Sequence, residues 1–240
     1  MHIFNEDCLS TMAKMLTGSV DIVITSPPYN MNLRIRNGEY CSRQIIPEIS
    51  TKYKSFPDNL PIDEFYEIHK DILTELMRVS NRVFYVIKIV TGSKRSFFNL
   101  IGEFSKKLKE IIIWDKCNAQ PAIKEQVLNR QFEMILVFES NNAISRRFID
   151  APFLRGELND VWHIPREYKK STGHGAVFPE QLVEKILVNF SNEGDTVYDP
   201  FMGTGTTAVV AKRLRRKYIG SEISKDYCDI ISDRINQQLV

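Results

Sequence analysis

Cysteine is scarce and scattered in this sequence. Cys8, Cys41, Cys117 and Cys228 form no CxxC pair, which argues against a zinc site and a disulfide framework and makes a reducing cytoplasm the simplest home. An excess of one charge is lacking too. Lys and Arg number 32 and Asp and Glu 30, a formal net charge of +2, which neither demands nor excludes nucleic acid. No apolar run approaches membrane-spanning length, and the opening MHIFNEDCL is acidic where a secretory leader is basic and then apolar. Neither a membrane segment nor a signal is therefore expected. Repeats are absent. What remains is an enzyme-sized chain of 240 residues, 43% of them hydrophobic, which fits one α/β domain with a sizeable core.

The first informative stretch is Asp21 to Asn30, DIVITSPPYN. Val20, Ile22, Val23 and Ile24 are β-branched and nearly uninterrupted, as in a short strand buried on both faces of a parallel sheet. Pro27 and Pro28 end the ladder, since neither has an N–H to donate and each restricts the residue before it. Ser26 is thereby held extended at the carboxyl end of a strand, where open α/β sheets bind ligands. Its hydroxyl and the Pro27 carbonyl offer lone pairs close together, beside the flat face of Tyr29. That suits a planar heterocycle carrying an exocyclic amino group. A plain turn after a strand is the competing reading.

Along the rest of the chain, strands alternate with helical spacing. Strands are expected at Met1 to Phe4, Arg82 to Val90, Ile111 to Trp114 and Glu133 to Glu139, and helices at about Leu9 to Leu16, from Pro61 through Leu76, Arg95 to Leu108 and Phe178 to Phe190. Such alternation implies a mostly parallel twisted sheet with helices on both faces. His69 falls on the polar side of its helix and receives no role. Residues 31–60 lose periodicity and mix Arg34, Arg36, Arg43, Lys52 and Lys54 with Tyr40, Tyr53 and Phe56, as a mobile binding loop would. Residues 140–172 are similar, with Arg146, Arg147, Arg155, Lys169 and Lys170 around Trp162, His163 and Tyr168. Cations interleaved with aromatics suit a phosphate backbone and splayed bases, so both regions are candidate DNA contacts. A solvated surface would look the same.

The second motif is GDTVYDPFMGTGTTAVVAKRLRRKYIGSEIS, Gly194 to Ser224. It reads as strand, tight glycine turn, helix and strand. Gly203 and Gly205 let a ligand approach the backbone, and Glu222 ends the following strand, where an acid meets ribose hydroxyls. The basic run Arg213 to Lys217 reads as a solvated helix end. Gly-Thr-Gly-Thr-Thr-Ala also satisfies a relaxed dinucleotide fingerprint, so an NAD-dependent oxidoreductase competes. A P-loop does not, for no Gly-Lys-Ser/Thr follows. Asp199 stands where a pyrophosphate would approach, and it suits a cationic cofactor better.

With both motifs present, the chain resembles the S-adenosylmethionine-dependent amino DNA methyltransferases, in the permuted (beta) class that places the catalytic motif before the cofactor motif. SPPY at Ser26, Pro27, Pro28 and Tyr29 is similar to the catalytic tetrapeptide. DPFMGTGTT is similar to the cofactor loop and would bring Asp199, Pro200, Phe201, Gly203, Gly205, Thr206 and Thr207 to the cofactor. GHGAVFPEQL resembles the third element, with Phe178 at the methionine part, and Asp7 the acid near the adenine; Ser26 and Glu222 would complete that set. The resemblance covers nearly the whole chain and implies a single Rossmann-like methyltransferase domain, residues 1–240, acting on a base flipped out of double-stranded DNA. Residues 140–172 would be its target-recognition region. It leaves open a homodimer and a cognate restriction endonuclease as partners. Serine at the head of the tetrapeptide implies cytosine N4 as target, with adenine N6 as the alternative. Cytosine-5 chemistry is excluded, because none of the four cysteines follows a proline. An oxidoreductase and a non-catalytic nucleic-acid-binding protein remain the distant alternatives.

Overall fold

The computed structural model describes residues 1–31, 33–37, 39–42, 58–120, 125–141, 143–167 and 178–237. In chain order the elements are β1 (His2–Phe4), α1 (Cys8–Met12), β2 (Ile22–Thr25), β3 (Leu33–Arg36), β4 (Glu39–Ser42), α2 (Ile62–Val79), β5 (Arg82–Ile87), α3 (Lys94–Glu103), β6 (Leu108–Gln120), β7 (Arg130–Glu139), β8 (Val161–His163), α4 (Glu180–Phe190), β9 (Thr196–Asp199), α5 (Thr206–Arg213), β10 (Lys217–Ser221) and α6 (Lys225–Gln237). Eight strands form one sheet in the order β1-β10-β9-β2-β5-β7-β6-β8. It is mostly parallel, as expected; β7 alone runs against its neighbours β5 and β6.

Successive side chains of a strand point to opposite faces, and the two cores follow from that. Ile22, Ile24, Phe84 and Val86 pack with Leu182, Ile186, Val209 and Ile231 of α4, α5 and α6. Val23, Val83, Tyr85 and Ile87 pack with Met12, Phe65, Leu76 and Phe97 of α1, α2 and α3. Helices thus cover both faces. α2 places Asp63 and Glu64 in its first turn and Arg78 in its last, in the sense that the helix dipole favours.

The crossover from β2 leads through α2 to β5 on one side, while that from β9 leads through α5 to β10 on the other. Since β2 and β9 are adjacent, the two loops that leave them diverge at a topological switch point. A crevice opens there at the carboxyl ends of the strands.

Several sequence expectations need correction. α1 stops at Met12 and α3 at Glu103, well short of Leu16 and Leu108. β6 runs on past Trp114 to Gln120 and β7 starts at Arg130, before Glu133, so the two strands continue as a ribbon that projects beyond β5. Polarity hid it, because the one buried side of the extension carries Lys116 and Glu133 in place of apolar residues. Residues 33–36 and 39–42 form an antiparallel hairpin where a loop was expected; residues 43–57 lie outside the described residues. His69 is 2% exposed rather than solvated, because Tyr85 Oη meets its Nδ1 at 2.5 Å, and burial lowers its pKa to about 3. Of the basic run, Arg216 is buried and donates to Ser191 O at 2.8 Å, closing the end of α4.

The start and finish of the 31–60 excursion meet. Asn30, in left-handed backbone (φ 54°), donates from Nδ2 to Leu60 O at 2.8 Å and Gly92 O at 3.2 Å. Met31 N donates to Asp58 Oδ1 at 2.8 Å.

Candidate active site

Asp199 ends β9 and is 3% exposed. Its Oδ1 accepts from Thr25 Oγ1 at 2.9 Å and Phe201 N at 3.0 Å, and its Oδ2 from Thr207 Oγ1 at 2.7 Å. One carboxylate therefore ties the end of β2, the glycine turn and the start of α5 together. Burial pushes its carboxyl up to about 6, against the pull of those three bonds. Across the turn, Glu222 Oε2 accepts from Gly203 N at 2.8 Å and Oε1 from Ser224 N at 2.8 Å, and burial raises its pKa as well. Gly203 and Gly205 both hold positive φ, 54° and 84°. A Cβ on Gly203 would meet no protein atom closer than 3.9 Å, whereas one on Gly205 would strike Ile231 Cγ1 at 2.8 Å. Gly203 faces open space; Gly205 makes room for α6. Asp7 caps α1, accepting from Leu9 N at 2.8 Å.

The second wall begins where β2 ends. Ser26 Oγ lies 2.5 Å from Tyr29 Oη, and Tyr29 Oη donates to Glu133 Oε2 at 3.3 Å. Glu133 Oε1 accepts from Lys116 Nζ at 2.8 Å. Lys116 is 1% exposed and lies over the Trp114 ring, 5.6 Å from its centroid. Burial lowers its pKa, while Glu133 opposes the shift. The sequence alone assigned no role to Lys116 or Glu133. The available signal was their alternation with Trp114 and Ile135 along two paired strands.

A cavity of about 480 Å³ spans both walls. It brings together Asp7, Phe178, Asp199, Pro200, Phe201, Gly203, Thr206, Thr207 and Glu222 with Ser26, Pro28 and Tyr29. Pro27 and Gly205 are not in its lining. Unforeseen members include Trp114, Lys116, Glu133, Arg166 and Tyr227. Among the described residues no cluster of His, Cys, Asp and Glu is arranged to hold a metal, and no helix is long and apolar enough to cross a membrane.

The expected DNA contacts are less coherent. Lys169 and Lys170 lie outside the described residues, as does the Arg34 side chain. Arg36 and Arg155 are exposed, and Trp162 is core at 1% exposure. Arg146 and Arg147 are exposed but follow β7. Because β7 is antiparallel, with Glu139 opposite Arg82, they emerge at the amino ends of the parallel strands. That is the edge away from the cavity.

An open sheet with a glycine turn, an acid on the next strand and one cavity across the switch point defines a Rossmann-like α/β protein. The chain belongs to the DNA methylase family of N6 and N4 amino-methylating enzymes, whose model matches residues 20–233. It is 49% identical to the orphan methyltransferase M.BamHII of Bacillus amyloliquefaciens over 258 residues, covering 92% of this chain and 91% of that one. It is 27% identical to the type II methyltransferase M2.DpnII of Streptococcus pneumoniae, covering 99% and 90%. Its fold matches the cytosine-N4-specific PvuII DNA methyltransferase with a TM-score of 0.73 at 17% identity, covering 97% and 85%. M1.HpyAVI in complex with S-adenosyl-L-methionine matches at 0.65 and 21%, covering 98% of each chain.

Proposed function

We propose that this DNA methyltransferase moves a methyl group from S-adenosyl-L-methionine to the exocyclic N4 of a cytosine flipped out of double-stranded DNA. The observation that carries the reading is the placement of the Ser26 edge opposite the Asp199–Gly203 turn across one cavity. The cavity's chemistry fits the cofactor. Asp199 and Glu222 are held by neutral hydroxyl and amide donors, so they keep negative charge for a cation, and Gly203 leaves its side of the cavity open. When bound, the cofactor supplies an electrophilic methyl on a sulfonium sulfur.

An exocyclic amine is a poor nucleophile because its lone pair is delocalised into the ring. Hydrogen bonds accepted from its protons by Ser26 Oγ and the Pro27 carbonyl favour the pyramidal nitrogen, and holding it in line with the methyl contributes much of the remainder. Removing the base from the stack costs a few kcal/mol, and contact with Tyr29 in the pocket recovers part of it.

Cytosine N4 is favoured by the serine that heads the tetrapeptide, and the PvuII enzyme is described as cytosine-N4-specific. Adenine N6 presents nearly the same amino group, and the matched family model covers both targets. Description of the 49% identical relative as an orphan methyltransferase favours action without a companion endonuclease. Digestion of methylated DNA to nucleosides followed by mass spectrometry tests the assignment. N4-methylcytosine is expected; N6-methyladenine as sole product would transfer the reading to adenine.

A further inference from the structure

We propose that Glu133, anchored by Lys116, is a positioning residue: it fixes the direction of the hydrogen bonds through Tyr29 so that Ser26 meets the target amine with lone pairs. This inference rests on the amine-methylating reading above. A serine hydroxyl can donate or accept, and an amine is helped only by acceptance. Something must therefore choose. A carboxylate has no proton to give, and Glu133 is held beside the buried Lys116 ammonium at 2.8 Å. Tyr29 O–H can then only donate toward Glu133 Oε2, 3.3 Å away. The Tyr29 oxygen is left to accept, and its partner at 2.5 Å is Ser26 Oγ. Ser26 spends its proton on Tyr29, and both of its lone pairs remain for the amine. Bonds aligned head to tail in a low-dielectric site also polarise one another, making Ser26 a better acceptor than an isolated hydroxyl.

Glu133→Gln tests this with almost no change of shape. Lys116 would hold the amide oxygen, turning the amide N–H₂ toward Tyr29; the chain would reverse, and Tyr29 would donate to Ser26. The expected loss is about tenfold in kcat, the size of one hydrogen bond, with the Kd for S-adenosylmethionine unchanged by calorimetry. Tyr29→Phe should show a similar loss. In the Tyr29→Phe background, Glu133→Gln should cost nothing further, because the relay through the hydroxyl is already gone. A wild-type kcat in Glu133→Gln, or losses that multiply in the double variant, would overturn the proposal. A second readout needs no DNA: in protein labelled with ¹³Cζ-tyrosine, the resonance that disappears in Tyr29→Phe should shift in Glu133→Gln. Absence of that shift also counts against the relay. If the wild-type protein methylated no DNA base while the resonance shifted, the functional reading would fail and the hydrogen-bond direction would stand.

Discussion

Both ends of the sheet bury carboxylates, and they partner them differently. At the amino end, Glu139 is 1% exposed and meets two cations, Arg82 at 2.7 Å and Lys109 at 3.0 Å. Both cations also lie over the Phe148 ring, and Arg82 donates to Ile149 O at 2.8 Å. This end is closed. At the carboxyl end, Asp199 and Glu222 are held by hydroxyl and amide donors, which order the carboxylates without cancelling their charge. Burial alone does not distinguish a lock from a site: Glu139 carries two cations behind a closed edge, whereas the cavity holds Asp199 and Glu222 on neutral donors and Glu133 on the single ammonium of Lys116.

The largest expected effect breaks the closed end. Glu139→Ala leaves Arg82 and Lys109 buried without their partner and should cost about 3–5 kcal/mol in urea unfolding, with methyl transfer per folded molecule unchanged at 25 °C. A cost near zero would mean that water already reaches those cations.

Asp199→Asn is the counterpart at the open end. It replaces acceptor lone pairs by an N–H₂ facing donors, and it should cost about 2 kcal/mol while weakening cofactor binding roughly tenfold. The Asp199 carboxyl titrates near 6 in the fold against an ordinary 3.8. Between those values the folded protein keeps a proton that the unfolded chain releases, so this group's contribution to stability falls as pH rises through the window. Charge toward the cavity grows over the same window. Affinity for the cationic cofactor should therefore increase from about pH 5 to about pH 7, and Asp199→Asn should flatten that rise in calorimetry. An unflattened profile would assign the titration to another group, Glu222 first.

The two glycines sharpen the contrast within one turn. Gly205→Ala should destabilise, since its Cβ would strike Ile231 in a left-handed backbone, whereas Gly203→Ala should cost only the left-handed strain of about 1 kcal/mol and lose cofactor affinity instead. Paired melting and binding measurements separate them. The smallest effect belongs to Arg146 and Arg147. Reversing both should leave the salt dependence of DNA binding unchanged, while Arg130→Glu, on the ribbon beside the cavity, should lower the slope by about one.

That last prediction reverses the reading of the basic cluster from sequence alone, for a physical reason. In a parallel sheet every loop that follows a strand lies at the carboxyl edge; β7 runs the other way, and nothing in EMILVFE reports its direction. The tetrapeptide and the glycine turn were legible because prolines and glycines act locally. Lys116 and Glu133 were not, since their pairing depends on the register between β6 and β7. β8 is only three residues long, too short for periodicity to reveal. His69 was misplaced because its polar ring spoke against the core, although it stands four residues after Phe65 and three before Ile72 on the one buried face of α2; a neutral imidazole bonded to Tyr85 tolerates that place.

The knot at Asn30 has a consequence for how such an enzyme could change its habits. Because the 31–60 excursion leaves and returns through bonds among Asn30, Met31, Asp58 and Leu60, it hangs from the scaffold like a bag closed by a drawstring. Since those bonds hold both ends beside the strand that carries Ser26, exchange of what lies between them is expected to leave Ser26 in place. A lineage could in this way acquire new loops while its chemistry stays still, and a grafted excursion of different length, stitched in at Met31 and Asp58, is a module an engineer could swap.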